Sequence, residues 1–297
     1  MNKTKISWTD YTSNPIRARD KRTRKIGWWC SHASTGCLNC YSETLNKRYG
    51  NQVPYHAQEA EHIEFVFSEQ ELAKWKKLPA GSKVFAFDML DLFHEKMSFE
   101  LIWNVWMFIA NECSHLTIQI LTKRAARMSE FLQHWNATRH KKFYPEVLPN
   151  VWLGVSVENQ KAAHERIPLL LQTPAAIRFL SCEPLLGDLN LFQWFSPCGY
   201  YCDHSDEYLN SPQHSHLEGW EVWFGGHHPD RSRIDWCICG GESGPHYREM
   251  NLDWARSIRD QCVAANVPFF FKQQSAYRSE TNPTLDGVEW HQFPSNA

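Results

Sequence analysis

Six short apolar runs punctuate the chain: VFAFDM (84–89), TIQILT (117–122), VWLGVSV (151–157), IRFLSC (177–182), WCICGG (236–241) and PFFFKQ (268–273). Each is rich in β-branched or aromatic residues and apolar at successive positions rather than at every second one. That pattern predicts strands buried on both faces, as in a parallel sheet. Helical spacing fills the gaps. After Ser98, a candidate N-cap, Ile102, Val105, Trp106 and Ile109 recur at i, i+3, i+4, i+7. Met128, Phe131, Leu132 and Trp135 repeat the spacing, as do Trp254, Ile258, Cys262 and Ala265. Strand–helix alternation of this kind predicts βαβ units. ISW (6–8) is a weaker first strand, with its helix in the segment from Cys40 to Gly50. The expectation is a single α/β domain over 1–297, a full or partial (β/α) barrel with parallel strands. No glycine-rich phosphate fingerprint opens a helix, which removes the main sign of a doubly wound sheet.

The working face of such a barrel is the carboxyl end of its strands. The runs end on Asp88 (with Asp91 and His94 just beyond), on Lys123 and Arg124, on Glu158 and Asn159, on Glu183, on Glu242 and Ser243, and on Lys272 and Gln273. Buried charge is costly unless paired or used. Asp88, Lys123, Glu158, Glu183, Glu242 and Lys272 are therefore candidate catalytic residues around one mouth. Ion pairs closing the barrel top are the alternative for any one of them. In GGESG, Gly240 and Gly241 precede Glu242 and Ser243. Two adjacent glycines let backbone approach a ligand and permit positive φ.

Two stretches break the pattern. RARDKRTRK (17–25) holds six basic residues in nine, and 190–233 is an irregular insertion rich in Trp, His, Gly and Pro. The 297 residues are 42% hydrophobic, with 14 Trp and 17 Phe, enough for a substantial core. A net charge of −2 excludes a basic coat for nucleic acid but not a local basic patch. No apolar run is long enough to cross a bilayer, and MNKTKISWTD lacks a signal-peptide core, so the expected location is the cytoplasm and no membrane partner is expected. Ten Cys in a reducing compartment point to metal binding or burial rather than to disulfides.

Cys30, Cys37 and Cys40 form C-x6-C-x2-C ahead of the first candidate helix. The close pair can reach one metal or cluster, and the loop SHASTG is long enough to bring the third thiol round. Three readings are open: a [4Fe–4S] cluster with one iron left free, a zinc site with His32 as fourth ligand, and buried thiols. The absence of a second C-x2-C partner favours the cluster. Cys198, Cys202, His204, His214 and His216 in the insertion are a second candidate metal site, for zinc. Cys113, Cys182, Cys237, Cys239 and Cys262 read as packing residues.

WTDYTSNPI, Gly36 to Tyr41, DLFHE, LTKR, VWLGVSVEN, RFLSCEPLLG, GGESG and VPFFFKQ together span nearly the whole chain. In these stretches it resembles the phage gene-product thirty-seven/sixty-eight family, the three-cysteine-motif proteins, of largely uncharacterised function. That family is similar, more distantly, to radical S-adenosylmethionine enzymes, which have a partial (β/α) barrel and a three-cysteine loop after the first strand. The resemblance implies a radical-SAM-like fold and a [4Fe–4S] cluster on Cys30, Cys37 and Cys40. It further implies S-adenosylmethionine on the open iron, with Tyr41 and Gly240, Gly241, Glu242 and Ser243 as cofactor-binding residues. Cleavage would then give a radical that abstracts a substrate hydrogen. The superfamily's usual loop is C-x3-C-x2-C with an aromatic residue before the last cysteine; here the first gap is six and that residue is Asn39. Its Gly-Gly-Glu also lies near the second strand, whereas here it comes late.

The leading expectation is an iron–sulfur radical enzyme, with a nucleotide or nucleic-acid-related substrate. A nucleic-acid binding or repair protein using 17–25, with Trp28 and Trp29 stacking on bases, is the second. A zinc-stabilised scaffold that binds a partner protein is the third.

Overall fold

A computed structural model describes residues 1–195 and 233–295. Cys198, Cys202, His204, His214 and His216 lie outside the described residues, as does most of the segment 190–233.

In chain order the elements are β1 (Asn2–Lys3), β2 (Tyr11–Ser13), β3 (Ile16–Asp20), β4 (Ile26–Gly27), α1 (Tyr41–Tyr49), β5 (Ile63–Phe67), α2 (Glu69–Trp75), β6 (Lys83–Ala86), α3 (Phe99–Glu112), β7 (Thr117–Thr122), α4 (Ala125–Thr138), β8 (Val151–Ser156), α5 (Gln160–Gln172), β9 (Ile177–Cys182), α6 (Phe192–Phe195), β10 (Trp236–Gly240), α7 (Leu252–Ala264) and β11 (Phe269–Gln273). Among the described residues, eight strands make one sheet in the order β1-β2-β6-β7-β8-β9-β10-β11. Within it every pairing from β2 to β11 is parallel, and β1 runs antiparallel to β2. The sheet curls into a half-barrel, the partial form of the two expected.

All six apolar runs become strands within a few residues of their expected ends. Ser98 caps α3, its hydroxyl accepting from Leu101 N. ISW does not form the first strand. The first parallel strand is Tyr11–Ser13, and Trp8 instead folds into the concave face. A second sheet, in the order β4-β3-β5 and antiparallel throughout, is formed by strands between β2 and β6 in the chain and was not expected from the apolar pattern.

Each parallel strand sends alternate side chains to opposite faces. Val84, Ile118, Ile120, Val151, Leu153, Val155, Leu180, Phe269 and Phe271 join the main core with α3, α4, α5 and α7. The concave side is floored by Trp8, Phe85, Trp152, Phe179, Trp236 and Phe270. Trp236 lies at the centre, edge-on to Trp8, Trp152 and Phe270 at 5.8–6.1 Å between centroids. Edge-to-face contacts suit the ring quadrupoles. Gly154 on β8 is required there: a Cβ on it would lie 2.5 Å from Cε2 and Cζ of Phe179, which is fully buried. Gly154→Ala is expected to destabilise the protein by about 1–3 kcal/mol, the range for overpacking a rigid core, read as a lower urea midpoint with unchanged slope. A neutral result would mean that the floor can repack.

Candidate functional site

The loop from Gly27 to Cys40 leads into α1 at the carboxyl end of the sheet, and three strand ends hold it there. The first hold is Arg124, which follows β7 and is almost fully buried. Its Nη2 donates to Ser31 O at 2.9 Å and to Ser31 Oγ at 3.1 Å. Its Nη1 points to Cys30 Sγ at 3.6 Å and to Asp91 Oδ2 at 3.1 Å, and its Nε reaches Glu95 at 3.0 Å. Asp91 is fixed in turn by Thr122 Oγ1 at 2.7 Å and by the backbone N–H of Lys123 at 3.1 Å. His94 completes this cluster. Its Nδ1 accepts from Lys96 N at 3.0 Å, so the ring proton sits on Nε2 and is donated to Ser31 Oγ at 2.9 Å. Burial, then the neighbouring Arg124 cation, pushes its pKa down to about 4.

The second hold is Glu158, fully buried beyond β8 and paired with Arg166 of α5 at 2.8 Å. Gly36 lies against it: a Cβ there would be 3.1 Å from Glu158 Cδ. Burial opposes ionisation of Glu158, but Arg166 and Lys123 outweigh it and hold the carboxyl below the usual range. The third hold is Glu242 beyond β10. It accepts from Asn39 Nδ2 and Arg248 N, both at 2.8 Å, and pairs with Arg248 at 2.6 Å. Arg248 Nη1 also donates to Thr35 O at 3.0 Å. Burial again opposes ionisation, and Arg248 with Asn39 prevails, so Glu242 is held below its ordinary range.

The three thiols therefore sit in a clamped loop. Cys30, Cys37 and Cys40 keep partial exposure. Withdrawal from water pushes the Cys30 thiol up to about 12, against the pull of Arg124, and raises Cys40 as well. Cys37 Sγ accepts from Ala33 N at 3.4 Å. His32, the candidate fourth zinc ligand, bonds Glu43 Oε2 through Nε2 at 2.8 Å. Among the described residues no three Cys, His, Asp or Glu side chains are gathered as they would be around a single ion.

The remaining candidates divide. Lys272 pairs with Glu183 across β11 and β9. Lys123 Nζ donates to Ser156 Oγ at 3.1 Å. These four stand at or next to the carboxyl ends of β11, β9, β7 and β8. Asp88, two residues beyond β6, accepts from Asn14 Nδ2 at 2.7 Å, and Tyr41 donates its hydroxyl to Asp88 O at 2.7 Å. The Gly-Gly pair does not adopt positive φ; that conformation falls on Gly244 at 123°. A side chain on Gly241 would collide with Ser275, and Gln273 Nε2 bonds Gly241 O at 2.9 Å, so the pair serves the packing of β10 on β11. Ser243 bridges to Ala276 in the same region. The basic stretch forms the β3–β4 hairpin, and most of its cations are engaged. Arg17 stacks on Trp28 at 4.2 Å, Arg19 pairs with Glu64, Arg22 with Asp20 and Glu59, and Lys21 bonds Glu61 O.

Burial pushes the Asp88 carboxyl up to about 6 from 3.8, despite Asn14, Arg17 and the N-terminus nearby. A carboxyl that binds its proton more tightly when folded erodes stability as pH rises from the lower value to the higher. Asp88→Asn keeps the bond from Asn14 and removes the charge. At about 1.4 kcal/mol per unit, reduced for partial exposure, it is expected to gain about 1–2 kcal/mol at pH 7.5. The gain should fade toward pH 4 in thermal melts, and an equal gain at both pH values would contradict the assignment.

No curated protein and no solved structure matches the chain. A model of one protein family, described as a protein of unknown function, DUF5131, matches residues 3–294. With nearly every residue inside that match, the chain belongs to the DUF5131 family.

Proposed function

We propose that this chain is an iron–sulfur protein that holds one [4Fe–4S] cluster on Cys30, Cys37 and Cys40 and acts as a radical S-adenosylmethionine-type enzyme. The observation that carries this is the division among the eight described cysteines. Cys113, Cys182, Cys237, Cys239 and Cys262 are buried in the core, whereas the three of the loop keep solvent access at the carboxyl mouth, between the first parallel strand and α1. Packing accounts for the five and not for the three.

The donor set fits the group. Three soft thiols suit iron–sulfur ligation. A cubane spreads three thiolates over three irons, so it does not require the tight gathering that one ion demands. When bound, such a cluster supplies the electron for reductive cleavage of S-adenosylmethionine at its open iron. The chain's own residues orient and enclose. Arg124 fixes the Cys30 end of the loop, Glu158 supports Gly36, and Glu242 anchors Asn39 beside Cys40. The aromatic floor closes the half-barrel from below. Lys123 bonds a hydroxyl and steadies Glu158 from beyond ion-pair distance, so its ammonium is a cation that a phosphate-bearing, nucleotide-like substrate would meet. The engaged hairpin 17–25 lends no support to a nucleic-acid duplex as substrate.

Protein purified and reconstituted without oxygen is expected to carry about four irons per chain and to cleave S-adenosylmethionine when reduced. A stable cluster that never cleaves it would remove the radical part. Colourless protein that takes up zinc in place of iron would remove the whole reading.

A further inference from the structure

Arg124 makes one contact, to Cys30 Sγ, for which ion pairing with Asp91 and Glu95 does not account. Resting on the cluster reading above, we infer that Arg124 is a positioning residue that donates an N–H to the Cys30 sulfur and so sets the reduction potential of the cluster. The guanidinium has five N–H donors in a planar fork. Nε serves Glu95, Nη2 spans both oxygens of Ser31, and Nη1 divides its two protons between Asp91 Oδ2 and Cys30 Sγ. The whole fork is thus committed, and the sulfur takes one of its arms.

The supports make this placement rigid. Asp91 is held by Thr122 and by Lys123 N. Ser31, the residue next to Cys30, is gripped from the other side by His94. Glu95 is the one exposed member; the Arg124 side chain is only 6% accessible and that of Asp91 9%. A buried cation beside one sulfur, held by two carboxylates and a serine, differs from an ordinary surface ion pair. Cys37 and Cys40 have no comparable side-chain donor among the described residues.

The physical consequence follows from charge. Adding one electron makes a cluster more negative, and an N–H donor or cation at a ligating sulfur favours that state, which raises the potential. Removing the donor makes reduction harder. A merely structural arginine would change melting temperature and leave the potential alone.

The test compares reconstituted wild-type protein with Arg124→Lys and Arg124→Gln in anaerobic redox titrations followed by electron paramagnetic resonance. Both variants lose the fork and should titrate at lower potential. At a fixed potential the reduced-to-oxidised ratio is expected to fall about tenfold, or ~59 mV for one electron. Iron retention against a chelator should weaken about 10- to 100-fold, as for other partners of metal ligands. A second measurement uses wild type alone and so does not depend on the folding of either variant. With 15N-labelled arginine, pulsed resonance of the reduced cluster should reveal a coupled guanidinium nitrogen, and none is expected in a folded Arg124→Lys. Unchanged potentials on intact clusters, or no coupled nitrogen in wild type, would overturn this inference and leave the cluster reading standing. Wild-type protein that takes up no iron would overturn both.

Discussion

Cys37→Ser is expected to lower the iron retained after anaerobic reconstitution from about four atoms per chain to below about one, with little change in the folding of the metal-free protein. Cys37 is the informative choice among the three. Cys30 is tied to Arg124, and Cys40 is the N-cap residue of α1, so changes there mix loss of a ligand with loss of local structure. Cys37 Sγ has one weak backbone donor, Ala33 N. The loop around it is held by other groups: Thr35 O by Arg248, Gly36 by Glu158, and Asn39 by Glu242. The metal-free variant should therefore melt within about 0.5 kcal/mol of wild type. Cys262→Ser is the control. That thiol is fully buried on the inner face of α7, so a hydroxyl there should cost about 1–3 kcal/mol and leave iron uptake unchanged. If Cys37→Ser kept its iron, the ligand set would have to be redrawn.

The sheet was legible because burial on both faces leaves short apolar runs bounded by polar residues. TIQILT and IRFLSC become strands at their expected bounds. The second sheet was not legible. IRARD alternates between buried and part-buried positions, with Ile16, Ala18 and Asp20 inward. Arginine at both outward positions makes the stretch read as a run of charge, which conceals the period of two. Asp20, buried at the turn, bonds Arg22 N and Thr23 Oγ1, a partnership that spacing alone does not reveal. Tyr11–Ser13 is too short to register as a strand at all.

The site was half legible. Listing what each strand ends on picked out Asp88, Lys123, Glu158, Glu183, Glu242 and Lys272, and all six stand at or just beyond the carboxyl ends of their strands. It did not find their partners, because pairing depends on how helices fold back. Arg166 lies eight residues beyond Glu158, two turns into α5. Arg248 lies six beyond Glu242 in a loop. Once those partners are in place, Glu158 and Glu242 support the cysteine loop instead of standing free at the mouth. Arg124 follows Lys123 in LTKR and was visible, but only the fold brings it to Cys30. Asn39, which stands where an aromatic residue was expected, is the group that bonds Glu242.

Arg166→Met is expected to destabilise the protein by about 3–5 kcal/mol at neutral pH, the cost of leaving a buried charge without its partner. Glu158 has no accessible side-chain surface, and Arg166 meets it through both guanidinium ends at 2.8 and 3.3 Å. Methionine keeps the apolar stem and removes the charge. The pH dependence separates this cause from lost packing. In wild type Glu158 is held below its ordinary range, so its contribution is present above the unfolded carboxylate pKa and is lost as pH falls toward the folded value. Without Arg166, burial is opposed chiefly by Lys123, and the carboxyl should move above its unfolded value. The variant then recovers stability relative to wild type as the pH falls and Glu158 takes a proton. Melts from pH 7.5 to 5 should show the gap narrowing. A smaller part, from the lost bond of Arg166 Nη1 to Ser156 O at 2.7 Å, should persist at every pH. Adding Glu158→Gln to the variant removes the orphaned charge and should recover most of the loss at pH 7.5. A gap of constant size across that range, or no recovery in the double variant, would mean that Arg166 acts through packing. Because Gly36 rests on Glu158, the single variant should also retain iron less well than the double, which links the stability of this pair to the order of the three-cysteine loop.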